Sequence, residues 1–247
     1  MAITEQFCGE SIWFRLEGLG QSHLIKIPMF FVKLLDQTLT GWNLNQCAEA
    51  KRPEISLDFN GFEFVITSTL IKPVPVRTDL VDALNEFLLS LAYLTTAKIS
   101  GARLLHCGAY SQDGLNIVVV GDKNAGKSSL VFEKAKGGGT ILADDLLVWM
   151  PSLAQVMCMG LPLRMRRPVF GLRGSSFENK FVAGKQIAYA EKTVFKVAEA
   201  GFCFTPDKIC QIDDRNLKEV SFIRWPQIIE KHIISDTFLM TADCGSP

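Results

Sequence analysis

Gly121-Asp122-Lys123-Asn124-Ala125-Gly126-Lys127-Ser128 fits G-x-x-x-x-G-K-[ST], a spacing suited to holding phosphate. The two glycines let the backbone turn sharply and approach phosphate oxygens, so that successive N–H groups point inward. A helix beginning at Ser128 and Ser129 turns its positive end to the same anion. Lys127 supplies a mobile point charge toward the β- and γ-phosphates, and the Ser128 hydroxyl is placed to bind Mg²⁺. Gly121 to Ser129 is thus the expected nucleotide site, preceded by the apolar strand Ile117–Val120.

Asp144 and Asp145 follow Lys127 by 17 and 18 positions and close the apolar run Ile141-Leu142-Ala143. That reads as a carboxylate pair at the end of a buried strand beside the phosphate loop. One carboxylate can hold Mg²⁺, and the other can accept a hydroxyl proton during phosphoryl transfer. Mutual repulsion and burial raise one of the two pKa values. The bland alternative is an exposed pair at a strand end. The interval leaves room for one short helix and one strand. Asn-Lys-x-Asp, the guanine signature, is missing (Glu178-Asn179-Lys180-Phe181 does not fit), which argues against a switch GTPase.

The elements that must position these groups are legible around them. Arg103–Tyr110 and Leu115–Val120 flank Asp113-Gly114, a hairpin turn signal. A two-residue turn pairs Gln112 with Leu115 and sets His106 opposite Gly121; a four-residue turn sets it opposite Val119. Either register brings the imidazole to the entrance of the phosphate loop. Ser128–Lys136 suits a helix stopped by Gly137-Gly138-Gly139, and Thr140–Ala143 suits a strand. Arg164, Arg166, Arg167 and Arg173 crowd together downstream. Arg164 and Arg166 alternate with Leu163 and Met165 and so share one strand face. They suit either an anionic substrate or phosphate, or a solvated surface.

The first 70 residues read as strands (Ser11–Leu16, His23–Ile27, Ile55–Phe59, Phe62–Thr67), with Asn60-Gly61 as a hairpin turn and Pro73 and Pro75 ending the pattern. A helical stripe of Leu80, Leu84, Phe87, Leu88 and Leu91 follows, capped by Thr78 or Asp79. Beyond Pro151 short strands are expected at Gln155–Met159, Leu163–Arg166, Thr193–Val197 and Glu219–Ile223, with a last helix near Pro226–Ser235. The expected organisation is a β-rich module over 1–98 and a catalytic domain over 99–247.

Lys plus Arg and Asp plus Glu both number 26, so no global field calls for nucleic acid or an anionic membrane. Seven scattered cysteines without a Cys-x-x-Cys pair suit a reducing compartment. Met1–Glu10 lacks a signal-peptide pattern, and Phe87–Ala97 is too short to span a bilayer. A cytoplasmic protein is expected.

His106-Cys107-Gly108, the loop Gly121–Ser128 and Ala143-Asp144-Asp145 together resemble the catalytic domain of the HPr kinase/phosphorylase family over roughly Gly101 to Pro168. The resemblance implies a mixed-sheet α/β P-loop fold similar to phosphoenolpyruvate carboxykinase. It implies an ATP- and Mg²⁺-dependent kinase acting on a hydroxyl, with Asp144 accepting the proton, Asp145 and Ser128 near the metal, Lys127 on phosphate and His106 supporting the aspartate. Relatives of this kind assemble, so a homo-oligomer is a further expectation. After Asp145 the chain departs from the family, reading Leu161–Pro168 where a glycine-rich stretch belongs. It looks more like the short relatives that phosphorylate a peptide precursor or a free amino acid. Three functions stay open: a kinase for a seryl hydroxyl of a peptide or protein, a small-molecule kinase, and a non-enzymatic nucleotide-binding or partner-recruiting module.

Overall fold

The first strands form because alternate residues are apolar. In β1 (Ser11–Gly18) and β2 (Gln21–Pro28), Phe14, Leu16, Ile25 and Ile27 are buried and the two pair antiparallel. The computed structural model describes residues 10–48, 52–60, 62–71, 74–77, 79–167, 180–213 and 216–234. The expectation of strands alone over the first 70 residues is corrected by α1 (Met29–Thr38). Its buried residues Phe31, Leu34, Leu35 and Thr38 fall at helical spacing. The short strand β3 (Asn43–Gln46) was also unforeseen.

β4 (Ile55–Phe59) and β5 (Glu63–Ser68) form the expected hairpin, with Phe59 opposite Phe64. The Asn60 carboxamide accepts from the Phe62 and Glu63 amides, and Gly61 lies outside the described residues. β6 (Val74–Arg77) was not expected, because Pro75 argues against a strand. Its place at the sheet edge removes the conflict, since an edge tolerates a missing N–H. These strands make a six-stranded sheet in the order β3-β1-β2-β4-β5-β6. Asp79 caps α2 (Leu80–Ala97), its Oδ1 accepting from the Val81 amide at 2.9 Å. The alternative cap, Thr78, lies outside the described residues.

β7 (Arg103–Gln112) and β8 (Leu115–Val120) pair with Gln112 opposite Leu115, so the turn has two residues. Asp113 and Gly114 both take positive φ, 54° and 78°, which matches the twist of the flanking strands. α3 (Lys127–Lys136) follows the phosphate loop, and β9 (Thr140–Met150) runs far beyond the strand expected at Thr140–Ala143. Next come β10 (Gln155–Met157), β11 (Arg164–Arg166), β12 (Phe181–Ala183), β13 (Ile187–Ala190), β14 (Cys203–Phe204), β15 (Lys208–Asp213), β16 (Asn216–Glu219) and α4 (Trp225–Lys231). Thr193–Val197 is not a strand; Val197 makes only an isolated bridge to Ile141. Of Glu219–Ile223 only Glu219 belongs to a strand, and a 3-10 turn occupies Phe222–Arg224.

A seven-stranded sheet results, ordered β14-β10-β9-β7-β8-β15-β16, in which β8 lies antiparallel to β7 and parallel to β15. A three-stranded sheet, β11-β13-β12, completes a mixed α/β fold in which strands predominate. The apolar cluster around α2 joins Leu84, Phe87 and Leu91 to Leu104, Val148, Leu161 and Tyr189, so one core continues across residue 98. Among the described residues no helix is long and apolar enough to cross a membrane, and the five cysteines are free thiols.

Candidate active site

β8 delivers the chain into the phosphate loop at a point where only glycine fits. Gly121 has φ 157°, and a Cβ there would stand 2.5 Å from the Ile212 carbonyl oxygen on β15. Asn124 (φ 72°) and Gly126 (φ 107°) complete the turn in left-handed conformations that these two residue types tolerate. Lys127 is 7% exposed, and its ammonium donates to the carbonyls of Gly121 (2.7 Å) and Asp122 (3.1 Å). Burial lowers its pKa against the opposing pull of Asp145. The cation is held by the loop's own acceptors.

Gly108 shows why a glycine follows His106-Cys107. A Cβ there would meet Val131 Cγ2 at 2.9 Å and Lys127 Cβ at 3.6 Å, so α3 sits directly on β7. Val131 is fully buried and its β-branched side chain cannot step aside. Gly108→Ala is expected to destabilise the fold by about 1–3 kcal/mol, read as a lower denaturant midpoint at unchanged slope.

The aspartates are not at a strand end. They lie in the middle of β9, with Asp144 opposite Gly108 and Asp145 opposite Cys107. The β7–β9 register slips between Ala109 and Tyr110, and Asp145 takes φ 87°, a left-handed conformation rare in a strand. A regular strand would send consecutive side chains to opposite faces. Here both reach Arg164: Asp144 Oδ2 accepts from the Arg164 backbone N–H at 2.7 Å, and Asp145 Oδ2 from its guanidinium at 3.0 Å.

His106 Nε2 stands 3.0 Å from Asp145 Oδ1. The imidazole therefore supports Asp145, which corrects the expectation that it supports Asp144. Burial pushes the Asp145 carboxyl up, but His106, Arg164 and Lys127 outweigh it and hold it below the usual range. Asp144 behaves oppositely. It is 2% exposed, and burial raises its pKa to about 7; the Ser128 hydroxyl opposes that rise and the Asp145 charge adds to it. Its Oδ1 makes no hydrogen bond, and neither does the buried Arg164 Nε. The pair is split into one carboxylate that stays charged and one that titrates near neutrality.

A cleft of about 450 Å³ opens over this ground, lined by the loop from Lys123 to Ser129, the α3 residues Phe132 and Glu133, His106, Asp145 and Arg164–Arg167. Asp144 lies just behind its wall. The expected residues Asn124, Gly126, Lys127, Ser128 and Ser129 all line the cleft, while Gly121, Asp122 and Ala125 shape the loop beneath it. Among the described arginines from Arg164 to Arg167, Arg164 alone meets a carboxylate. Arg166 and Arg167 are exposed at the rim, Arg167 donating to the Gly184 carbonyl at 2.5 Å, and Arg173 lies outside the described residues.

His232 escaped sequence reasoning. Its carbonyl accepts from the His106 amide at 2.9 Å, and its side chain is close enough to Lys127 and His106 that burial first, then Lys127, depresses its pKa. A lone histidine 105 positions after Lys127 carries no local signal. Among the described residues no cluster of three or more His, Cys, Asp or Glu could enclose a metal. Mg²⁺ asks for less, one or two protein oxygens alongside phosphates. Ser128 and the ionised Asp145, both lining the cleft, fit that demand. Compared with known families and with curated proteins, the chain matches no family model and no curated sequence.

Proposed function

We propose that the cleft binds Mg-ATP and transfers its γ-phosphoryl group to a hydroxyl of a peptide or protein, most simply a serine, in the manner of an HPr kinase-like phosphotransferase. The observation that carries this reading is the convergence of Lys127, Ser128, Asp144, Asp145 and Arg164 around one phosphate loop. The fold is compatible with it. β8 leads into the loop with an antiparallel neighbour on one side and a parallel one on the other, unlike the all-parallel sheet of doubly wound nucleotide-binding folds.

Loop amides and the α3 N-terminus hold the phosphates, and Lys127 exchanges the Gly121 and Asp122 carbonyls for phosphate oxygens. Ser128 and Asp145 would hold Mg²⁺, which when bound would supply charge neutralisation at the phosphates. The acceptor O–H bond breaks as the proton passes, through one bridging water, to the Asp144 carboxylate just behind the cleft wall. The acceptor oxygen bonds to phosphorus as the bond to the ADP oxygen breaks. A base with a pKa of about 7 is well matched to this step near neutral pH. His106 and Arg164 keep Asp145 ionised and fixed, and the Arg164 guanidinium lines the cleft as a cation beside the phosphates.

The test is transfer of label from γ-labelled ATP, with Mg²⁺, to degenerate peptides with one fixed serine. Label on serine with release of ADP supports the proposal. Binding of ATP without transfer to any peptide, free serine or other alcohol would leave only a nucleotide-binding module.

A further inference from the structure

β11 pairs with β13 along one edge, Arg164 opposite Tyr189 and Arg166 opposite Ile187. The Ala190 amide donates to the Leu163 carbonyl and the Arg167 amide to the Gln186 carbonyl. Hydrogen-bonded pairs alternate along an antiparallel ladder. Leu163, Met165 and Arg167 therefore turn their backbone groups to β13, while Arg164 and Arg166 turn theirs to the opposite edge. The Arg164 amide confirms the direction, because it donates to Asp144 Oδ2.

Among the described residues no strand pairs with that outer edge. It offers the Arg164 carbonyl and both backbone groups of Arg166, and it borders the cleft that also holds Lys127 and Asp145. Met165 is buried, so the exposed β11 side chain near this edge is the cation Arg166, with Arg167, which also donates to the Gly184 carbonyl, beside it at the rim and Lys123 on the loop. Glu133 and Asp145 are the acidic residues of the lining, and Asp145 is already paired with Arg164.

We infer that the outer edge of β11 docks the acceptor as an added strand: an extended peptide segment with acidic residues beside its hydroxyl residue. This rests on the phosphotransferase reading above and names its substrate class. The backbone of the segment pairs with Arg166, and its acidic side chains meet Arg166, Arg167 and Lys123. At the Arg164 end the Asp144 carboxylate already takes the edge position, so the added strand stops there, with the hydroxyl residue beside Asp145 and Asp144 just behind the wall. Main-chain pairing supplies affinity and the charges supply selectivity, as in other cases of strand addition.

The experiment uses the whole chain. Serine-fixed degenerate peptides first identify an accepted sequence, and that peptide is then N-methylated one position at a time. The expected result is a preference for acidic neighbours and a loss of kcat/KM of roughly fivefold or more at alternate positions, one backbone bond at a time, with Mg-ATP affinity unchanged. Arg166→Ala should lose only the acidic preference. Arg166→Pro, tolerable on an edge strand, should lose the alternate-position sensitivity as well. Hydrogen exchange on the free chain should find the Arg166 amide faster than that of Met165.

A flat N-methyl profile, or acceptance of free serine alone, would overturn strand addition while leaving the nucleotide site intact. A slow Arg166 amide in the free chain would overturn it too, because the edge would then be filled by the chain's own residues, 168–179 being nearest in sequence. Failure of the chain to bind Mg-ATP at all would remove the phosphotransferase reading and this inference with it.

Discussion

Asp144→Asn is expected to lower phosphoryl transfer by about 10²–10⁴-fold and, at the same time, to raise the melting temperature at pH 8. Both effects have one cause. Asp144 is almost fully buried, and its folded pKa stands at about 7 against an ordinary value of 3.8. Between those two values the folded protein holds a proton that the unfolded chain has released. Stability therefore falls as pH rises through this window, and the contribution is gone above about pH 7. Asparagine keeps an oxygen for the Arg164 amide and carries no charge to bury. The melting temperature of Asp144→Asn should exceed that of the wild type by on the order of 5–10 °C at pH 8, with the gap closing toward pH 4. Wild-type kcat/KM should rise with pH through a midpoint near 7. Thermal melts of the two proteins from pH 4 to 9, beside initial rates, measure all of this. Equal stability of the two at pH 8 would show that Asp144 is not held near neutrality by burial.

Arg164→Ala carries the second large effect. Arg164 reaches both carboxylates, one through its backbone and one through its side chain, and only the second contact is lost. Asp145 then keeps His106 and the charge of Lys127, and its own charge is less well compensated. Arg164 and Asp145 are 25% and 31% exposed, so the stability cost is that of a partly screened pair, about 1–3 kcal/mol. The loss in transfer should be larger, about 10²–10³-fold, because the cleft loses a cation and Asp145 loses its guanidinium partner. Arg164→Lys should recover most of the stability and little of the rate, since an ammonium cannot form the guanidinium fork. Equal recovery of both would mean that Arg164 contributes only charge.

The sequence showed the parts of the site that depend on local spacing. Gly121 to Ser128 is recognisable because each residue's duty is set by its immediate neighbours, and the Asp113-Gly114 signal narrowed the β7–β8 register to two choices, of which the two-residue turn is the one observed. The division of labour between Asp144 and Asp145 was hidden. It depends on a register slip between β7 and β9 and on a positive φ at Asp145, features of two strands more than 20 positions apart. His106 lines the cleft with the loop, yet its partner was hidden, because it pairs in register with Leu146 and meets Asp145 where that residue takes a positive φ. Arg164 read as one of four similar arginines until β11 was seen turning its outer edge to Asp144. In the fold, α1 went unseen because a run rich in Phe and Val invites a strand reading, although Phe31, Leu34, Leu35 and Thr38 keep helical spacing. β6 went unseen because Pro75 is admissible only on an edge, and edge status is a property of the whole sheet.

Calorimetric titration of ATP into the wild type and into Lys127→Ala, each with and without Mg²⁺, decides whether the loop Gly121–Ser128 holds nucleotide. The expected result is one site per chain, strengthened by Mg²⁺ and weakened at least tenfold in Lys127→Ala, with both proteins equally folded by circular dichroism. A well-folded wild type that takes up no ATP with Mg²⁺ present would contradict it, and Gly121–Ser128 would then be a tight turn carrying β8 into α3.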